Sequence, residues 1–261
     1  MLISDLEKMA ALVPDGAKIA IPPSRSGVAI ALSRALVARG TRDLHLVAIP
    51  TSGLQADMLI GAGCVAVMES AGVTLDEFGQ APNFVAAVKA GAIRLMDSTC
   101  PAILSGLQAA EKGVPFFPMR GLIGSDLLRF RPDYRVIDNP MAAGEDPIVL
   151  LPAIEPDIAL FHAPMADRQG NVWIGKMREL MTMAHAAKRC LVTVEEVVED
   201  DLMEDPLRAP ATIPALYISA IAEARKGAWP LGLEGAYGLD RAAMAQYCRA
   251  PQDAAAAWAA Q

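Results

Sequence analysis

The chain has 261 residues and a formal net charge of −7, because 30 Asp and Glu outnumber 23 Lys and Arg. Hydrophobic residues make up 53% of it, which is enough to bury a full core and excludes long disorder. The acidic balance excludes a nucleic-acid groove, which needs a face rich in Lys and Arg. No run of about 18 apolar residues occurs, so the sequence predicts no spanning helix and no membrane partner.

The N-terminal segment and the cysteines indicate the compartment. Asp5, Glu7 and Lys8 interrupt the N-terminal segment, which argues against a signal peptide. The four cysteines form no Cys-x-x-Cys pair, which predicts a cytoplasmic protein with reduced, mostly buried cysteines and no structural zinc. They are Cys64, Cys100, Cys190 and Cys248. The three histidines show neither His-x3-His nor Glu-x-x-His spacing, so no metal site is predicted.

In the first half of the chain, short strands rich in Val, Ile and Leu alternate with amphipathic helices. The predicted strands cover residues 18–21, 43–49, 65–68 and 92–96. The predicted helices cover residues 28–38, 54–60, 83–89 and 102–111. About five such βα units predict the α/β class, with an open, mostly parallel sheet covered by helices on both faces.

The second half is less regular. Strands are predicted over residues 134–138, 148–151, 158–162 and 190–194, with a hairpin-like segment over 170–175. Helices are predicted over 177–187 and, among prolines, over 216–224. No internal repeat or linker divides the chain, so we expect one domain over residues 1–250. The Ala-rich tail, residues 251–261, is expected to fray or dock weakly.

Three common catalytic or nucleotide motifs fail on their context. Gly61-x-Gly63-x-x-Ala66 runs into a strand instead of opening a helix, so it lacks the helix N-terminus that binds a pyrophosphate. Gly170-x4-Gly175-Lys176 is followed by Met177, where a P-loop needs Ser or Thr. No serine lies in a Gly-x-Ser-x-Gly elbow. Dinucleotide binding, P-loop chemistry and an α/β-hydrolase triad are therefore excluded.

Two carboxylates follow adjacent predicted strands, at the sheet edge where open α/β proteins bind ligands. Glu69 precedes Ser-Ala-Gly and would serve as a nucleophile beside an oxyanion site, or alternatively as a solvated loop carboxylate. Asp97 precedes Ser-Thr and would serve as a base, or alternatively as the cap of the next helix.

Other polar residues in loops are weaker candidates. Arg120 and the turn Gly124-Ser125-Asp126 supply a fixed cation that suits a carboxylate or a phosphate. The segment from residue 167 to Asn171 is either part of a binding loop or an ordinary Asx turn. His162 ends a predicted strand, as a functional group or as a structurally hydrogen-bonded histidine.

Ten segments, in order and at matching spacing, carry a family resemblance. They are residues 14–19, 40–47, 81–84, 91–93, 106–110, 113–116 and 120–127, and most specifically 156–163 (PDIALFHA), 167–171 (DRQGN) and 192–197 (VTVEEV). Together they resemble the A subunit of family I coenzyme A transferases, of the glutaconate CoA-transferase type. The resemblance covers roughly residues 12–200.

The resemblance implies the family's open α/β fold and a B-type partner subunit, with the active site at their junction. Coenzyme A is then a substrate, and no permanently bound cofactor or metal is needed. A glutamate attacks the acyl-CoA thioester, and an acyl–glutamyl anhydride is followed by a glutamyl-CoA thioester. In heteromeric members this glutamate belongs to the B subunit, so the chain is expected to be one half of an enzyme.

Two departures from the family pattern bear on the site. The first strand is followed by residues 22–27 (PPSRSG) instead of the usual Gly-Gly turn. Within that loop, Arg25 and Ser26 are the candidate contacts to an acyl carboxylate or a CoA phosphate. In addition, Glu69 begins a segment similar to the B-type nucleophile segment, with an extra Ala.

The sequence therefore leaves three functions open, in this order. The first is the A subunit of a CoA transferase that acts on a small or dicarboxylic acyl group. The second is a ring-opening CoA-thioester hydrolase on the same scaffold, because some relatives use an acidic residue at about the position of Asp97, usually Glu. The third is a non-catalytic subunit that shapes a partner's pocket.

Overall fold

A computed structural model describes residues 2–3 and 5–254, with side chains from residue 5 onward. The strands are β1 Leu2–Ile3, β2 Lys18–Ile21, β3 Leu44–Ala48, β4 Val65–Ser70, β5 Arg94–Asp97, β6 Phe116–Met119, β7 Arg135–Asp138, β8 Pro147–Pro152, β9 Ile158–Asp167, β10 Val172–Trp173, β11 Arg189–Val198, β12 Thr212–Ile213 and β13 Ala220–Glu223. The helices are α1 Leu6–Ala10, α2 Ile30–Arg39, α3 Leu54–Gly61, α4 Pro82–Ala90, α5 Cys100–Glu111, α6 Leu127–Phe130, α7 Glu179–Ala186 and α8 Arg241–Arg249.

The main sheet has the strand order β1-β13-β11-β9-β2-β3-β4-β5, and all of these neighbours are parallel. Only the short strands β10 and β12, at one end of β9, pair antiparallel. The predicted α/β class with an open, mostly parallel sheet is confirmed. The first half supplies four βα units, from β2–α2 to β5–α5, where about five were expected.

Both faces of the sheet are buried because successive strand residues point to opposite sides. Ile19 and Leu46 pack on the side of α1, α2, α3 and α8, here called the α2 face. Ala20, Val47 and Phe161 pack on the side of α5 and α7, here called the α5 face. The predicted helices on both faces are thus confirmed.

A second sheet, antiparallel and with the order β6-β8-β7, lies between α5 and β9 in the chain. Its buried side packs Val149 and Leu151 with Ala102 of α5. The sequence predicted two of its three strands, but it did not separate them from the main sheet, because a strand's apolar pattern does not identify its neighbours.

The helix predicted over 216–224 is wrong. A single turn of 3-10 helix covers Ala215–Tyr217, and β13 then inserts in parallel between β1 and β11. Ala220, Ile221 and Ala222 are all buried, because β13 is covered on both faces. Such a short, fully apolar run lacks the alternation that would distinguish a strand from a helix. Helix α8 was not predicted, although Asp240 caps it by accepting from Ala243 N at 3.0 Å.

The beginning of the C-terminal tail docks on the α2 face. Residues 251–254 are helical, Ala254 is fully buried, and Gln252 Nε2 donates to Asn83 Oδ1 at 3.2 Å. The rest of the predicted tail, residues 255–261, lies outside the described residues, and the single domain remains a prediction.

The four cysteines are free in the structure, and their reduced state remains a prediction. Cys64 and Cys190 are buried and Cys248 is half-buried, whereas Cys100 is exposed at the start of α5. In the described part of the chain, none of the helices combines the length and apolar character that a bilayer crossing requires.

Candidate functional site

The sheet reverses its direction of winding between β2 and β9. These strands are neighbours, but the helix after β2 packs on the α2 face and the helix that follows β9 packs on the α5 face. Connections that leave in opposite directions open a crevice at the carboxyl ends of the two strands, which is where such sheets bind ligands. Residues 22–27, here called the crevice loop, follow β2 at this point. Helix α2 comes next, and its N-cap, Ala29, offers no side-chain cap.

The structure places Arg25 and Ser26 in this crevice loop. Arg25 has a φ of +67° and an exposed side chain. Its guanidinium forms ion pairs with Asp76 and Glu77, which follow β4. Ser26 N donates to Pro23 O at 3.1 Å, and this bond closes the turn. Arg25 therefore stands at the sheet edge with its charge offset by two carboxylates.

A buried histidine–glutamate pair lies within β9 and β11, beside the crevice loop. His162 does not end its strand as expected, because β9 continues to Asp167. His162 is fully buried, with Nδ1 2.8 Å from Thr193 Oγ1 and Nε2 2.7 Å from Glu195 Oε1. Glu195 also accepts from the backbone N–H groups of Lys226 at 2.8 Å and Gly227 at 3.2 Å. Burial acts to raise the pKa of Glu195, but these hydrogen bonds outweigh it and hold the pKa below its usual value.

Two glycines allow the chain to approach His162 closely. A Cβ at Gly227 would lie 2.5 Å from His162 Cε1, and a Cβ at Gly27 would lie 2.3 Å from His162 O. Gly27 also has a φ of +69° and accepts from His162 N at 2.7 Å. Only glycine therefore fits at positions 27 and 227, and both glycines contact His162 of β9.

Glu69 lies near the end of β4, on the α5 face, because it pairs with Val47 of that face. Its side chain is only 2% exposed, and Oε1 accepts from Arg131 Nη2 at 2.8 Å. Lys18 Nζ and His45 Nε2 lie 3.7 and 3.3 Å from Oε2. Burial acts to raise the pKa of Glu69, but His45, Lys18 and Arg131 together lower it to about 2.

Arg131 connects Glu69 to the end of β5. It donates to Asp133 through Nε and Nη2, and to the backbone oxygen of Asp97 through Nη1 at 3.1 Å. Its guanidinium also stacks 4.1 Å above the ring of Tyr134, whose hydroxyl lies 2.8 Å from Ser98 Oγ. Through Arg131, Glu69 is therefore linked to the backbone of Asp97 at the end of β5.

Asp97 itself is exposed at the last position of β5. Its Oδ1 accepts from Ser98 N at 3.0 Å. The cap of α5 is Thr99, which accepts from Ala102 N, and not Asp97 as the alternative interpretation held. Asp97 is thus exposed at the carboxyl end of β5, and strands β3 and β4 lie between it and β2, which the crevice loop follows.

Arg120 and the turn that follows it lie on the outside of the second sheet. Arg120 forms a two-pronged ion pair with Asp146, at 3.0 and 2.7 Å, at the rim of a groove of about 320 Å³. Gly124, Ser125 and Asp126 are exposed, and Asp126 pairs with Arg129 at 3.0 Å. The structure does not bring this group together with Arg25, and its binding role remains a prediction.

Asn171 is buried in the turn between β9 and β10. Its backbone N–H and its Nδ2 donate to the two carboxylate oxygens of Asp167, both at 2.8 Å, and its Oδ1 accepts from Ala215 N at 2.9 Å. Asp167 also accepts from Leu202 N. These contacts favour the Asx-turn interpretation over a substrate contact.

The sequence did not identify Arg131 or Glu195 as site residues. Arg131 carries no motif, and only its contacts reveal its role. Glu195 lies in the segment 192–197 and His162 in the segment 156–163, which are two of the three most specific segments of the resemblance. Their presence in these segments was the sequence signal that could have identified them as site residues. Over residues 2–3 and 5–254, no group of three or more His, Cys, Asp and Glu side chains is arranged to hold a metal ion.

Comparison with known proteins identifies the family. A family model described as coenzyme A transferase matches residues 3–224. The A-type subunit of 3-oxoadipate CoA-transferase from Pseudomonas knackmussii is 31% identical over 243 residues, which cover 92% of this chain and 84% of the relative. The cholesterol ring-cleaving hydrolase IpdA subunit of Rhodococcus jostii is 30% identical over 81% of this chain and 73% of its own length.

Two solved structures share the whole fold. The crystal structure of glutaconate coenzyme A-transferase from Acidaminococcus fermentans superposes with a TM-score of 0.88 at 26% identity, covering 98% of this chain and 86% of that chain. The crystal structure of a variant of the decarboxylase AibA/AibB superposes with a TM-score of 0.85 at 30% identity, covering 99% and 96%. The scaffold is therefore shared by proteins named for three different reactions.

Proposed function

Because the chain belongs to the coenzyme A transferase family, we propose that it is the A subunit of an enzyme that moves CoA between an acyl-CoA and a free carboxylic acid. The proposed intermediate is a glutamyl-CoA thioester, and its glutamate lies on a B-type partner subunit. Coenzyme A is a substrate in this proposal.

The observation that carries the proposal is the confinement of Glu69. A nucleophile must reach a thioester carbonyl, but Glu69 is 2% exposed and ion-paired to a buried arginine. Freeing it would leave Arg131 without this partner, and breaking a buried pair costs about 3–5 kcal/mol. Glu69 therefore suits an anchoring role, and the attacking glutamate comes from the partner.

In the proposed reaction, the partner's glutamate attacks the thioester carbon and the CoA thiolate leaves, which forms a mixed anhydride. The thiolate then attacks the glutamyl carbonyl, releasing the first acid and forming the glutamyl-CoA thioester. The acceptor acid reverses these steps. This chain supplies one wall of the site: the crevice loop with Arg25 and Ser26, and the β5 end with Asp97.

The surface of the chain supports a partner subunit. Large apolar side chains are strongly exposed, including Met141 at 89%, Leu207 at 88%, Leu216 at 86% and Phe130 at 75%. Contact with a partner subunit would bury such side chains, and obligate contacts bury about 2,000 Å² or more. A cytoplasmic location belongs to the same proposal and is supported by the four free cysteines.

A second candidate function is hydrolysis of a CoA thioester at a carbon–carbon bond, with Asp97 as the base. The exposure of Asp97 at the sheet edge and the similarity to a ring-cleaving hydrolase subunit favour it. Asp97 is one methylene shorter than the glutamate that is usual at this position. For this reason the hydrolase is ranked second to the transferase.

The test is to co-express the chain with a B-type chain from a neighbouring reading frame and supply acyl-CoA with a labelled acid. Transfer predicts exchange of the label into CoA ester, which requires both subunits. Thioester loss that disappears in Asp97→Asn, but not in the exposed control Asp138→Asn, would indicate the hydrolase. Release of carbon dioxide would indicate a decarboxylase, and full turnover by the chain alone would contradict the two-subunit proposal.

A further inference from the structure

The Glu195 carboxylate gathers donors from separate parts of the chain. His162 approaches from β9, and Lys226 and Gly227 approach from the segment after β13. A further hydrogen bond comes from the Tyr237 hydroxyl, which accepts from Ala228 N at 3.0 Å. One side chain on β11 thus binds both the neighbouring strand β9 and the segment after β13.

Each of the fixed segments contacts the crevice loop. Gly227 O accepts from Ala31 N at 2.9 Å in the first turn of α2, directly after that loop. His162 N donates to Gly27 O at 2.7 Å. The loop is therefore held at its C-terminal end from both sides, through residues that Glu195 and His162 lock in place.

The close packing leaves little freedom for any other arrangement. Gly27 and Gly227 both lie where a Cβ would overlap His162. The imidazole has hydrogen-bond partners on both nitrogens, so its ring orientation is fixed. A buried, fully bonded network of this kind specifies one geometry for the groups around it.

We infer that His162 and Glu195 are a positioning pair, which holds residues 22–27 and the first turn of α2 in the geometry that binds the anionic groups of an acyl-CoA and its acid. The inference rests on the proposed function only for the identity of the ligand. The pair contacts no substrate itself and acts through the backbone of Gly27 and Ala31.

The test uses the chain assembled with its partner, with coenzyme A and glutarate as separate probes. Glu195→Gln keeps the size of the side chain but turns one of the two acceptor oxygens into a donor. The amide therefore cannot accept both from Lys226 on one side and from Gly227 and His162 on the other. Hydrogen exchange at the amides of residues 27–31 should accelerate. The Kd of at least one probe should rise about tenfold, the equivalent of one lost hydrogen bond.

Glu196→Gln is the matched control, since Glu196 is the next residue and is exposed. It should change neither exchange nor affinity. Thr193→Val removes only the hydroxyl at His162 Nδ1. It is the second test variant if Glu195→Gln does not fold, and hydrogen exchange at residues 27–31 should accelerate in it as well.

Faster exchange with unchanged affinity for both probes would overturn the inference, because the pair would then be merely structural. Unchanged exchange at residues 27–31 would overturn it as well. Because affinity is measured without turnover, an enzyme that proves to be a hydrolase or a decarboxylase would contradict the proposed function and leave the inference standing.

Discussion

Arg131 and Glu69 form a buried ion pair, 2.8 Å from Nη2 to Oε1, that joins the segment after α6 to the main sheet. Both side chains are at most 3% exposed. Arg131 also donates to the backbone oxygen of Asp97, the last residue of β5. This relationship underlies the proposal that Glu69 anchors the neighbouring strand and is not the nucleophile.

Removing one partner of this pair should strongly destabilise the protein. Arg131→Met leaves Glu69 buried without its main partner, and we expect the free energy of unfolding to fall by about 3–5 kcal/mol. Urea unfolding measures it. Arg129→Met is the control, because Arg129 is 80% exposed and its pair with Asp126 contributes about 1 kcal/mol at most. Equal effects of the two variants would contradict the anchoring role.

The same pair predicts how stability changes with pH. The pKa of Glu69 lies at about 2, below its ordinary value of 4.5. A lowered carboxylate pKa stabilises the fold above the unfolded value, and this contribution disappears as the pH falls from about 4.5 through 2. The shift corresponds to about 3 kcal/mol.

Unfolding of the wild type and of Glu69→Gln should therefore be compared between pH 6 and pH 2. The wild type should lose stability more steeply than Glu69→Gln, while the exposed control Glu145→Gln should follow the wild type. Parallel curves for the wild type and Glu69→Gln would show that Glu69 is not held ionised by its neighbours.

Asn171 should prove structural. Asn171→Ala leaves Ala215 N without its acceptor and removes one donor to Asp167, so we expect a loss of about 1–3 kcal/mol in unfolding free energy. The KM for the acyl substrates should stay unchanged. Gln169→Ala, two residues earlier and exposed, should change neither quantity. A raised KM in Asn171→Ala without loss of stability would restore it as a binding residue.

Variants at Arg120 and Asp146 distinguish two roles for Arg120, a surface ion pair and a substrate contact. Its pair with Asp146 is exposed and screened by solvent, so Arg120→Ala should change the free energy of unfolding little. If Arg120 binds the acid as the sequence suggests, KM for the acid should rise in Arg120→Ala and fall in Asp146→Asn, which frees the guanidinium. Unchanged KM in both variants would leave Arg120 with a surface role only.

The sequence located six of the eight strands in the parallel part of the main sheet, but it did not reveal the contacts of the site. Apolar runs such as 18–21 and 44–48 locate β2 and β3, because short buried strands between helices leave few other interpretations. The sequence placed Glu69 just after such a run, but β4 continues to Ser70 and buries Glu69, so the alternative of a solvated loop carboxylate is wrong. Its partner Arg131 is 62 residues away, and no local pattern reports a contact at that separation.

The same limit applies to β13 and to the crevice. Residues 220–222 are apolar on both faces, so periodicity could not separate strand from helix. The reversal of winding between β2 and β9 depends on strand order, which the sequence did not reveal. His162 was singled out from its position alone, and Glu195 became visible as its partner only when β9 and β11 were seen to be neighbours.

The central claim is that the attacking carboxylate belongs to the partner subunit. The most direct measurement is to incubate the assembled enzyme with acyl-CoA, trap the glutamyl thioester with borohydride or hydroxylamine, and map the modified residue by mass spectrometry. We predict a modified glutamate on the partner and none on this chain. Modification of Glu69 would contradict the claim, because its carboxylate would then have to leave Arg131 and reach the substrate.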